Sequence, residues 1–132
     1  MNKENLKLMA DYIETIPQEK FDMRLFRTGE QIKHACGSVG CVIGHCTILD
    51  ERPLPMDYLG DIEFYAWSLE FTGVDPSSSE WGYLFSSDWG AADNTPTGAA
   101  SRIRYFLENG LPEDWREQME DNAPLSYINQ TK

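Results

Sequence analysis

The chain has 132 residues, 41% of them hydrophobic and 25% charged, with 22 acidic side chains against 11 Lys and Arg and a formal net charge of −11. That length suits one domain with a real core, and four Trp, six Tyr and six Phe argue against disorder. No run of about 18 apolar residues occurs, so no membrane span is expected, and the negative field repels nucleic acid and anionic lipid. The partner this charge implies is a basic surface of another protein.

The charge is uneven. Residues 51–100 hold nine acids and one base, Arg52, which is −8 of the total. Three cysteines form no disulfide framework, and the start, MNKENLKLMADYIE, lacks the apolar core of a secretory signal. Reduced thiols in a cytoplasm are expected.

In chain order, Leu6, Met9, Ile13 and Ile16 form a helical stripe that predicts a helix over 2–15, ended by Pro17. Phe21, Met23, Leu25 and Phe26 then read as anchors of an irregular link. The segment HACGSVGCVIGHC, from His34 to Cys46, carries all three cysteines and both histidines. Cys36, Cys41 and Cys46 are five apart, so on a helix they splay around the axis and cannot converge on one ion. No metal site and no cofactor are expected. The alternative is catalysis by Cys36 with His34. "ACGS" is similar to the segment around a papain-type cysteine, but such enzymes place their histidine far downstream, and none follows His45. The preferred reading is structural. Over about 37–49 a helix would line up Gly37, Gly40, Cys41 and Gly44 on one face and Val39, Val42, Ile43 and Cys46 on another. Such a helix is buried nearly all round, and its glycines are tolerable where a neighbour packs close.

A proline-punctuated loop follows. Asp57 is expected to cap a helix with Tyr58, Ile62, Tyr65, Ala66 and Leu69 on its buried face and Gly73 just past its end. Ser79 is expected to cap a short helix with Trp81, Leu84 and Phe85. Thr95-Pro96 is the clearest helix start, a capping hydroxyl followed by proline, with Ala99, Ile103, Phe106 and Leu107 inward and Gly110 closing. Pro112, Glu113 and Asp114 open a last helix, with Trp115 and Met119 inward and Pro124 as its stop. The fold expected is all-α, one compact domain over 1–132 with about five helices and a small-residue central helix.

"FDM…CGSVGCVIGHC", followed by "TPTGAASRIRYFLENG", resembles a group of small phage and bacterial proteins with a CG[ST]xxCxxG core. The resemblance runs from Phe21 to Gly110. It implies a phage or prophage setting and carries no catalytic residues with it.

Other motifs are weak. Arg102 and Arg104 could mark a recognition helix, but their surroundings are acidic, and solvated or salt-bridged arginines explain them. Asp88, Asp93 and Asn94 lack the register of a calcium loop, and no phosphate-binding glycine loop is present. Glu63 and Glu70 share a helix face as ordinary solvated carboxylates. The function expected is non-enzymatic: an acidic protein-binding module, a modulator of a host protein. The alternatives are a DNA-mimicking inhibitor of a nucleic-acid-binding enzyme and a small cysteine-dependent hydrolase or transferase. The binding surface is assigned to Asp57, Asp61, Glu63, Asp75, Glu80, Asp88 and Asp93, with Trp81 and Trp89 as anchors, although burial of such aromatics in a core is the ordinary outcome.

Overall fold

The computed structural model describes residues 1–24, 41–50 and 61–121, and these form an all-α arrangement with no β-strand among them. Six α-helices follow in order: α1 (Lys3–Ile13), α2 (Val42–Cys46), α3 (Asp61–Thr72), α4 (Ser79–Phe85), α5 (Pro96–Asn109) and α6 (Trp115–Asp121). Short 3-10 turns lie at Gln18–Lys20, Thr47–Leu49 and Ser87–Ala91.

Helix α1 forms where its stripe predicts. Asn2 caps it by accepting from the Asn5 backbone N–H at 3.0 Å. Leu6, Met9, Ala10 and Ile13 are buried without solvent contact, and α1 packs along α5, with further contacts to α2 and α3. Its N-terminus is tied to the end of α3. Asn2 N donates to Thr72 O at 2.7 Å, and Asn5 Nδ2 donates to Phe71 O at 2.8 Å. Gly73 permits this docking. Its φ of +74° is left-handed, and a Cβ there would stand 2.8 Å from Met1 Cα.

The central segment is buried as expected but less helical. All five residues of α2 are buried, and α2 touches both α1 and α3. The helix starts only at Val42, because Cys41 is extended (φ −86°, ψ −172°), so Cys41 does not share a helix face with Gly44. It stops after Cys46, where the Thr47 hydroxyl donates to Gly44 O at 3.2 Å and the chain tightens into a 3-10 turn. Gly37, Val39 and Gly40 lie outside the described residues, as do Leu25, Phe26, Tyr58 and Pro124.

Helix α3 corrects the face assigned to it. Phe64, Trp67, Ser68, Phe71 and Thr72 are buried, whereas Tyr65, Ala66 and Leu69 are exposed. The two faces are similarly apolar, and hydrogen bonding decides between them. The Trp67 indole N–H donates to Asp50 Oδ2 at 2.9 Å, Ser68 Oγ to Tyr65 O at 2.8 Å, and Thr72 Oγ1 to Ser68 O at 2.6 Å. The buried hydroxyls are satisfied within the helix itself, so their burial costs little.

Helix α4 is capped by Ser78, one residue earlier than predicted, and buries Trp81, Tyr83, Leu84 and Phe85. Helix α5 follows its prediction. Thr95 Oγ1 accepts from Gly98 N at 2.9 Å, Pro96 opens the helix, and Gly110 ends it at φ +79°. Ala99, Ile103 and Phe106 are buried, and Leu107 is half-buried. Helix α6 is carried by Trp115, whose ring edge lies within 3.0 Å of where a Cβ on Gly82 would stand.

Candidate functional site

Asp57, Cys36 and His34 lie outside the described residues, and Asp61 opens α3. Asp75 and Asp88 are exposed, and Glu63, Glu80 and Asp93 are partly so. Asp75 accepts from the backbone and hydroxyl of Ser77, both at 2.9 Å, which holds its carboxyl below its usual range. Asp75, Glu80 and Asp88 have no ion pair among the described residues, and the sequence has no Lys or Arg from 53 to 101.

Trp81 and Trp89, expected as anchors, are core residues, 7% and 1% exposed. Their polar ends explain why. Trp81 Nε1 donates to Ser68 Oγ at 3.0 Å, and Trp89 Nε1 donates to Tyr83 O at 2.8 Å. With both N–H groups satisfied inside, the rings bury fully, Trp81 edge-on to Phe85 and Trp89 edge-on to Tyr83.

The described part of the cysteine segment offers no reactive group. Cys41 and Cys46 are free and buried, and burial raises the Cys41 thiol to about 11 and the Cys46 thiol well above its ordinary value. His45 Nε2 lies 2.6 Å from Lys20 O. A carbonyl only accepts, so this nitrogen carries the proton and is not available to a metal. Among the described residues no three His, Cys, Asp or Glu side chains are grouped for a metal ion.

The arginines of α5 are both engaged. Arg104 reaches back to α1 and pairs with Asp11 at 2.9 Å and Glu14 at 2.6 Å. Arg102 is buried, 5% exposed, with its guanidinium 4.0 Å above the Trp89 ring. Its Nη1 pairs with Asp93 at 3.4 Å, while Nε and Nη2 have no hydrogen-bond partner among the described residues. Burial depresses its pKa to about 10, with Asp93 opposing the shift, so it remains a cation at neutral pH.

Arg102 lines an open cleft of about 530 Å³ at the start of α5. Tyr83, Trp89 and Tyr105 supply aromatic walls, and Thr97, Ser101 and Gln118 supply polar groups. Asp93 is fixed at its edge by the Thr95 hydroxyl, which donates to Oδ1 at 2.7 Å. Sequence reasoning missed this cleft, although Arg102 falls three residues after Ala99 and four before Phe106, on the buried stripe of α5.

Compared with known protein families, curated proteins and solved structures, the chain has no significant match to any of them. No helix among the described residues is long and apolar enough to cross a membrane.

Proposed function

We propose that the chain is a non-enzymatic, acidic protein-binding module of the cytoplasm, a phage-encoded modulator that docks on a basic surface of a host protein. One contrast in the treatment of carboxylates supports this reading. Between α1 and α5 the acids are neutralised internally: Asp11 by Lys7 and Arg104, Glu14 by Arg104. Along α4 and its flanking turns Asp75, Glu80 and Asp88 reach solvent without a cation among the described residues. Solvent-facing carboxylates without a neighbouring cation leave a negative field that steers a basic partner toward them.

The test is affinity capture from bacterial lysate over a salt series, with mass-spectrometric identification of what is retained. The reading expects a small set of proteins with basic surfaces, released progressively as salt screens the contact. Retention that is insensitive to salt, or of partners without a basic surface, contradicts it. A captured enzyme that loses its own DNA binding would assign the carboxylates as phosphate mimics.

A further inference from the structure

We infer that the cleft at the start of α5 is a binding site for a small monovalent carboxylate, held on the unpartnered side edge of the Arg102 guanidinium. This site is independent of the acidic surface and takes a different class of ligand. A guanidinium presents its donors in two-pronged edges. Nη1 faces Asp93, and the two nitrogens without a partner, Nε and Nη2, form the side edge, whose parallel N–H groups match the two oxygens of a carboxylate.

The surroundings choose among oxyanions. Without ligand the guanidinium lies over Trp89, and Tyr83 and Tyr105 wall the cleft with aromatic surface suited to a flat, partly apolar ligand. Asp93, beside the same guanidinium and 37% exposed at its side chain, repels added negative charge. A dianion such as phosphate pays this repulsion twice, so a single carboxylate on an apolar ring fits best. The side edge is shielded from solvent, so the ligand meets it through a rotamer shift of Arg102 toward the cleft that it lines. Trp89, beneath the guanidinium, reports that shift.

The probe is benzoate, titrated into the full chain and followed by the Trp89 indole and Arg102 Nε resonances. Expected is a saturable shift of both signals at millimolar benzoate, with none for the neutral isostere benzamide. Arg102→Lys keeps the charge but loses the fork, and should weaken binding by roughly tenfold or more. Asp93→Asn removes the competing charge and should tighten binding several-fold. Ser101→Trp fills the cleft from an exposed position and should abolish binding with the fold intact, which keeps the test decisive if the Arg102 variant does not fold. The assignment is overturned if benzoate gives no saturable shift, if benzamide binds equally, if inorganic phosphate binds there in preference, or if Ser101→Trp leaves benzoate binding unchanged.

Discussion

Asp93 lays its carboxylate against the α-carbon of Gly98, where a methyl group would overlap it. The same carboxylate accepts from the Thr95 hydroxyl and pairs with buried Arg102. In Gly98→Ala the Asp93 side chain must swing away, and the main cost is an Arg102 left without its partner. Although alanine is the better helix former, we expect destabilisation of about 1–3 kcal/mol. Asp93→Ala should cost a similar amount for the same reason. In the Asp93→Ala background the Gly98→Ala change should add no further loss. Denaturant unfolding of the two single variants and the double variant checks this; additive losses would contradict it.

How much of this was legible in the sequence varied by element. Helices α1 and α5 carry one apolar stripe each and strong caps at Asn2 and Thr95, so pattern and chemistry agree. Helix α3 has large apolar residues on both sides, Tyr65 and Leu69 against Phe64, Trp67 and Phe71, so periodicity cannot choose a face. Ser68 and Thr72 add to the difficulty, because buried hydroxyls read as surface until their partners are seen. Spacing predicts a helix running through Cys41 and does not reveal that Cys41 itself is extended. In the cleft, the position of Arg102 on the buried stripe was the available signal. The pairing with Asp93 brings together residues on either side of the Thr95 cap, a contact that spacing does not indicate.

The Ser68 hydroxyl should matter out of proportion to its size. It is fully buried and accepts the Trp81 indole N–H at 3.0 Å. Ser68→Ala leaves that donor unsatisfied, at a cost of about 1–3 kcal/mol. Thermal or denaturant unfolding measures it; a variant as stable as the parent would show that water or another group replaces the hydroxyl.

Acid should lower the stability of the protein over a defined window. The Arg24 side chain holds the Asp22 carboxyl at about 2, below its ordinary 3.8. Arg104 likewise lowers Asp11 and Glu14. These groups bind protons more weakly folded than unfolded, so their stabilisation is complete above the unfolded values. It is lost as pH falls from the ordinary carboxylate range toward the folded values, which for Asp22 is about 2. Melting temperatures across that range should fall for the parent and fall less steeply for Arg104→Gln, which removes the partner of Glu14 and one of the two partners of Asp11. Parallel curves would rule out a role for Arg104 in this loss.

The thiols of Cys41 and Cys46 should resist alkylation in the native state, since both are buried with raised pKa values. Peptide mapping after iodoacetamide treatment near pH 8 should find both unmodified, and both modified once denaturant is added. Alkylation of either residue as fast as a free thiol in solution would show that the core opens readily around α2.

Charge reversal at Asp75 and Asp88 tests the proposed acidic docking surface most directly. Both residues are exposed, and neither has an ion pair among the described residues. Asp75→Lys combined with Asp88→Lys should therefore leave the helical circular dichroism and the melting transition close to those of the parent. At low salt, the captured partner should bind this variant far more weakly than the parent, and the difference should shrink as salt is raised. A folded variant that binds the same partner with unchanged affinity at low salt would show that these carboxylates only solvate the protein and that the docking surface lies elsewhere.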